Sequence, residues 1–234
     1  MSLEPLRVLG LVPARGGSKG VPGKNVRPLA GHTLLEYTAR AARESGVLDR
    51  IILSTDSSEI ADAGRRAGLE VPFVRPVALA ADDTPMVPVI EHALTELSRQ
   101  RWSPEIVVLL QPTSPLRRAD HIREAVSLLR ETGADSVVNV VEVPRHLSAD
   151  YVMRLEGGRL KPFLPDGGRV TRRQDARAAY SRDGTVYAFR RSTIERTGGI
   201  YGEDCRPLLI DARDSLSIDS PADWDEAERP LARR

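Results

Sequence analysis

The sequence predicts an α/β fold with a mostly parallel sheet, and three observations carry that prediction. Short apolar runs alternate with amphipathic, helix-length stretches through the first 141 residues. The runs are almost continuously apolar, as strands covered on both faces are. The first of them leads directly into a glycine-rich loop, at the carboxyl end of a strand, where sheets of this class hold ligands.

In order, Val8–Val12, Ile51–Ser54, Val71–Val74, Ile106–Leu110 and Ser136–Val141 read as strands. Between them Leu34–Glu44, Ser58–Ala67, Pro88–Gln100 and Asp120–Glu131 have the spacing of helices, and this alternation argues for βαβ units. The pattern changes after Val143. Pro144 to Arg182 is an excursion with turn signals at Glu156-Gly157-Gly158 and Asp166-Gly167-Gly168, and Tyr151–Leu155 pairs with Arg159–Phe163 as a hairpin. Thr185–Arg190 and Leu208–Ile210 read as returning strands. Ser220-Pro221-Ala222-Asp223 has the chemistry of a helix start, with a serine N-cap and proline at the first position. Leu231 to Arg234 is expected to fray.

At 234 residues the chain is expected to form one domain, 1–234, with a core of its own. A net charge of +1 lacks the basic excess that marks nucleic-acid binding. No apolar run approaches the ~20 residues that span a bilayer, and Val8–Val12 is too short for a signal-peptide core. The one cysteine, Cys205, excludes an internal disulfide and suggests a reducing compartment; a buried packing role is expected for it. These features describe a soluble, cytoplasmic protein.

The loop from Leu11 to Asn25 reads L-V-P-A-R-G-G-S-K-G-V-P-G-K-N. The chain has three lysines against thirty-one arginines, and two of the three, Lys19 and Lys24, are here. An ammonium on a slim stem serves a phosphate as a point charge, a task arginine does not duplicate. Glycines allow backbone N–H groups to approach an anion closely. A solvated basic loop has the same composition. The spacing matches neither the P-loop nor the dinucleotide fingerprint, so the reading is a different polyphosphate-binding loop, for a nucleoside triphosphate.

The ordered motif A-R-G-G-S-K-G-x-P-G-K-N resembles that of the acylneuraminate cytidylyltransferases, the CMP-sialic acid synthetases and their relatives. The resemblance runs from about Val8 to Glu228, through R-P-V-A-L-A-A-D-D-T-P (from Arg75), L-L-Q-P-T-S-P-L-R (Leu109 to Arg117), S-R-D-G-T-V-Y (from Ser181) and D-S-L-S-I-D-S (from Asp214). It implies a Rossmann-like α/β/α nucleotidyltransferase fold whose excursion, 144–182, serves dimerisation. It also implies CMP transfer from CTP to an acidic acceptor. In that reading Arg15, Lys19 and Lys24 are the catalytic cations. Ala14, the N–H groups of Gly16, Gly17 and Ser18, and Asn25 complete the nucleotide site, with Arg75, Asp82 and Thr84 bordering the base. Gln111, Arg117, Arg173, Gln174 and Tyr187 are the expected acceptor contacts, since arginine forks suit carboxylates.

Two residues depart from the family pattern. Ser217-Ile218-Asp219 stands where D-x-D is usual, which leaves Asp219 as the expected Mg²⁺ ligand. Ser217 would support a bound water, and metal binding would be weaker for the missing carboxylate. Asp183 stands where Asn usually precedes glycine; it either faces the acceptor, with Arg182, Arg173 or Arg117 in compensation, or forms a simple Asp-Gly turn. The resemblance implies a sialic-acid-like nonulosonic acid as the acceptor, and the two departures keep others open. The alternatives are a 3-deoxy-octulosonic acid, a small phosphonate acid, or a weakly catalytic nucleotide-binding relative.

The remaining candidates read as structural. His32, His92, His121 and His146 have no ligand spacing, and Trp102 and Trp224 are expected to pack. Asp56 either lines the site or caps the helix beginning near Ser58.

Overall fold

The computed structural model describes residues 6–233. In chain order its strands are β1 (Val8–Pro13), β2 (Arg50–Ser54), β3 (Ile106–Leu109), β4 (Ser136–Glu142), β5 (Met153–Glu156), β6 (Arg159–Pro162), β7 (Tyr180–Arg190) and β8 (Cys205–Leu209). The helices are α1 (Leu34–Ser45), α2 (Ser58–Arg66), α3 (Met86–Arg99), α4 (Ala119–Thr132), α5 (Arg191–Thr197) and α6 (Pro221–Leu231).

Alternation within β1 sets the layers. Val8 and Val12 pack on one face with Leu35 and Ala39 of α1, Ile60 of α2 and Ile122 of α4. Leu9 and Leu11 pack on the other with Ile90 and Leu97 of α3 and Ile194 of α5. All four β1 side chains are fully buried, which is why the run carries no polar alternation. The six-stranded sheet has the order β2-β1-β3-β7-β4-β8. Only β7 runs antiparallel, hydrogen-bonded between β3 and β4. Helices therefore cover both faces of a mostly parallel sheet, as the sequence predicts.

Local chemistry sets the helix ends. Thr33 and Glu36 form a reciprocal capping box on α1, and Gly46 ends it in the left-handed conformation with φ 67°. Ser220 caps α6 with Pro221 at its first position and Asp223 at the third. A third apolar cluster joins Trp224, Ala227 and Leu231 of α6 to Leu34 and Tyr37 of α1, Val21 of the glycine loop, Leu116 and Ile218. It anchors the segment that precedes α6 against the carboxyl end of the sheet.

Several expectations change. Val71–Val74 is not a strand: Glu70 alone bridges Ile52, and Pro72 has no N–H to extend the ladder. β7 begins at Tyr180, five residues before the expected Thr185. β8 spans Cys205–Leu209 and leaves Ile210 just outside. Cys205 is exposed, on the outermost strand, not buried. Leu231 is a buried residue of α6, not a frayed one; Arg234 lies outside the described residues. The hairpin is present as β5 and β6, paired Met153 to Pro162 through Glu156 to Arg159. Buried Asp150 ties the excursion down by accepting from the Arg177 backbone N–H at 2.7 Å and its Nε at 2.8 Å.

Candidate active site

β1 delivers the loop from Ala14 to Asn25 to the carboxyl end of the sheet. The Ala14 N–H donates to the Ser54 carbonyl at 3.0 Å, continuing the β1–β2 ladder one residue into the loop. Asp56, just past β2, accepts the Gly16 N–H at 2.9 Å. Asp56 thus pins the loop rather than capping α2, whose cap is Ser57. The Gly16 N–H is therefore already committed, which leaves those of Gly17 and Ser18 as the donors to test.

Farther along, the loop meets the segment before α6. Lys24 Nζ donates to the Ile218 carbonyl at 2.8 Å and lies 3.3 Å from Asp219 Oδ1. A Cβ on Gly20 would overlap the Asp219 carbonyl, so only glycine permits this approach. Ile218 N–H donates to the Thr113 carbonyl at 2.8 Å, fixing the same segment to the loop after β3. Ser217 Oγ donates to Asp219 Oδ2 at 2.9 Å. Three distant stretches of sequence are thereby held together by backbone contacts.

They enclose a cleft of about 630 Å³. Ala14, Arg15, Ser18, Lys19, Lys24 and Asn25 line it together with Arg75, Asp82, Gln111, Ser217 and Asp219, all expected from the sequence. Met86, Pro112 and Thr113 line it as well and were not singled out, although Pro112 and Thr113 lie within the Leu109–Arg117 motif. Gly16 and Gly17 face a smaller hollow behind the loop, against Ser57 and Ile60.

The cations are deployed differently from one another. Arg75 is buried; its Nε donates to Ser54 Oγ at 3.2 Å, and desolvation pulls its pKa down. Arg15 lies 2.5 Å from Asp82, and Lys19 pairs with the other oxygen of the same carboxylate. Those contacts, the one from Lys19 foremost, hold the Asp82 carboxyl below its usual range. Among the described residues no group of three His, Cys, Asp or Glu side chains gathers as a metal cage.

The expected acceptor residues divide. Gln111 Oε1, Ser114 Oγ and Tyr187 OH surround the space a Cβ on Gly184 would occupy; the buried Ser114 Oγ lacks a hydrogen-bond partner, and of the three only Gln111 lines the cleft. Arg117 is spent elsewhere. Its Nε donates to the Thr185 carbonyl at 2.6 Å, one Nη to Thr38 Oγ1 at 3.3 Å and the other to the Gln111 carbonyl at 2.5 Å. Burial pushes its pKa down to about 9, so it stays charged at neutral pH. Arg173 and Gln174 are exposed in a 3₁₀ turn of the excursion, and neither lines the cleft. Thr84 is not among the lining residues; its N–H closes a turn on Ala81 at 3.2 Å. Asp183 accepts from the Thr185 N–H at 2.9 Å and from the Thr185 hydroxyl inside β7, where the pairing with β4 shifts register between Val138 and Val140, so Asp183-Gly184 is a strand irregularity and not a simple hairpin turn.

Comparison with known proteins fits this arrangement. The family model described as cytidylyltransferase matches residues 9–229. The CMP-N,N'-diacetyllegionaminic acid synthase of Legionella pneumophila is 34% identical over 225 residues, which is 96% of each chain. The N-acylneuraminate cytidylyltransferase of Oncorhynchus mykiss is 30% identical over 98% of this chain, which spans about half of that protein. Among solved structures, CMP:2-keto-3-deoxy-manno-octonic acid synthetase complexed with CTP superposes with a TM-score of 0.74, covering 97% of this chain and 99% of that one, at 14% identity. That likeness speaks to the fold, an α/β nucleotidyltransferase. On sequence, fold and cleft together, the chain belongs to the cytidylyltransferase family.

Proposed function

We propose that this chain transfers CMP from CTP to a sialic-acid-like nonulosonic acid and releases pyrophosphate. The observation that carries the proposal is the gathering of Arg15, Lys19, Lys24 and Asn25 around one cleft, with Asp219 beside Lys24. The acceptor's anomeric oxygen would attack the α-phosphorus, forming one O–P bond as the bond to pyrophosphate breaks. Such a transfer asks the protein for alignment and charge neutralisation, with little covalent chemistry. Arg15 and Lys19 suit the β- and γ-phosphates, and Lys24, next to the end of the loop and nearly buried, suits the α-phosphate. Gln111 and Tyr187 would orient the acceptor. The legionaminic and neuraminic acid relatives favour a nonulosonic acceptor.

Mg²⁺ would neutralise phosphate charge in this reaction. Asp219 fits it: the carboxylate is largely exposed to the cleft, and one carboxylate completed by substrate oxygens and water is an ordinary magnesium site. Ser217 would hold one such water. We further infer a cytosolic homodimer joined through the excursion, whose Leu155, Leu160 and Phe163 are exposed. No helix among the described residues is long and apolar enough to cross a membrane.

The test is pyrophosphate release with each of the four ribonucleoside triphosphates, Mg²⁺ and a panel of nonulosonic acids, a 3-deoxy-octulosonic acid and small phosphonates. Release with CTP and one nonulosonic acid is expected. Equal release from all four triphosphates, or turnover only with a phosphonate, would contradict the proposal.

A further inference from the structure

All three cations assigned to the triphosphate are paired with carboxylates, Lys24 with Asp219, and Arg15 and Lys19 with one and the same group. Asp82 contacts Arg15 through one oxygen and Lys19 through the other. A carboxylate that takes two cations through two oxygens makes the contacts a phosphate group would make. The three side chains are not buried together: Lys19 is 81% exposed, Asp82 37% and Arg15 31%. Exposed pairs of this kind are weak and easily exchanged.

The placement of Asp82 gives the exchange a consequence. Its segment leaves Arg75, whose N–H is fixed to the Thr55 carbonyl at 2.8 Å, and ends at Met86, the first residue of α3. Between those anchors the chain makes a 3₁₀ turn, Val77–Leu79, with no buried side chain, and a second turn closed by the Thr84 N–H on the Ala81 carbonyl at 3.2 Å. Arg75, Asp82 and Met86 line the cleft from this segment, and Arg15 and Lys19 line it from the glycine loop. The two ion pairs therefore join the glycine loop to an exposed strap that is fixed at Arg75 and at α3 and held between them by short turns and by the Arg75 Nη1 contact to the Leu79 carbonyl at 3.5 Å.

We propose that Asp82 is a gate: a carboxylate that occupies the phosphate-binding cations of the empty cleft and competes with polyphosphate for them. A triphosphate carries several negative charges where Asp82 carries one, so it draws Arg15 and Lys19 away and repels the strap. The strap includes the wall expected to border the base, so phosphate binding and base binding are coupled through it. After transfer, the same carboxylate reclaims both cations and hastens the departure of pyrophosphate. Asp82 would thus act against the anion rather than contact the base. The inference rests on the triphosphate reading of the cleft.

Calorimetric titration with inorganic pyrophosphate and tripolyphosphate separates the two claims. Asp82→Asn should bind both anions roughly tenfold tighter than the wild type, the scale of two exposed ion pairs freed from competition. Asp83→Asn is the control: it removes the same charge from the next residue, which makes no ion pair among those of the described residues. It should shift affinity no more than about twofold, as a distant screened charge does. A merely structural role for Asp82 would weaken binding when removed, so the sign of the change decides. Asp82→Ala, with melting measured for each variant, guards against a fold defect peculiar to asparagine. Binding in the Asp82 variants that is unchanged, weaker, or matched by Asp83→Asn would overturn the gate. Wild type and variants that all ignore both anions would overturn the phosphate site, and the gate with it.

Discussion

Single residues carry more of this site through the scarcity of their type than through their number. Lys19 and Lys24 stand out because the chain otherwise uses arginine, and both reach the cleft. Arg117 shows the limit of the same reasoning. Its motif is legible, but its partners lie 68 and 79 residues away, and nothing local announces that its guanidinium is consumed by Thr185 and Thr38. Arg117 is a brace joining α1, β7 and the loop that carries Gln111. Arg117→Ala would strand two buried carbonyls and should cost about 2–4 kcal/mol of stability by urea denaturation. Arg117→Lys should recover little of it, since an ammonium cannot span the fork. A loss below about 0.5 kcal/mol, the scale of an ordinary surface change, would refute the brace. Asp56 is similar: its acidity is visible in the sequence, but its bond to Gly16 depends on β1 and β2 lying side by side.

At the scale of elements, the glycine loop and the segment before α6 act as one unit. Gly20 touches the Asp219 carbonyl, Lys24 takes the Ile218 carbonyl, and the Ser220 cap fixes where α6 begins. Gly20→Ala should push Asp219 away from the loop and lower kcat/KM about 10²-fold, the cost typical of a small misplacement. Its melting temperature should change little, because the contact lies outside the three apolar clusters. Wild-type turnover in Gly20→Ala would show that the close approach is dispensable. The strands and helices of this region are readable from apolar periodicity and cap chemistry. The apolar run Val71–Val74 has the composition of a strand, but Pro72 within it cannot donate to a ladder. The early start of β7 was missed because Tyr180–Arg182 are exposed and carry no apolar signature. The contact between residues 20 and 219 has no local signal at all.

Over the whole molecule, acid sensitivity just below neutral pH should trace to a group that does not line the cleft. His121 is buried at the start of α4, accepts the Arg118 N–H on Nδ1 at 3.3 Å, and has Nε2 3.6 Å from Asp214. Burial lowers its pKa, while Asp214, Asp183 and Glu124 oppose and Arg118 reinforces that shift. The unfolded chain, titrating near the ordinary value of ~6.5, binds the proton more readily. Stability is therefore complete above that value and falls as pH drops below it. His121→Gln should flatten the stability profile between about pH 6.5 and 5 in denaturation series; an unchanged slope would place the sensitivity elsewhere. The overall fold was the most legible level, because βαβ alternation over the first 141 residues leaves few topologies. The antiparallel insertion of β7 between β3 and β4 was not, since pairing partners are decided by the sheet as a whole. The central claim is that this sheet end converts CTP and an acid into a CMP-linked product. Mass analysis of a reaction with CTP, Mg²⁺ and a nonulosonic acid, run beside Lys24→Met, tests it most directly. The account predicts one pyrophosphate per CMP-linked acid, with the rate lowered on the order of 10²–10³-fold in the variant. CTP bound without any CMP-linked product, or a variant as fast as the wild type, would contradict it.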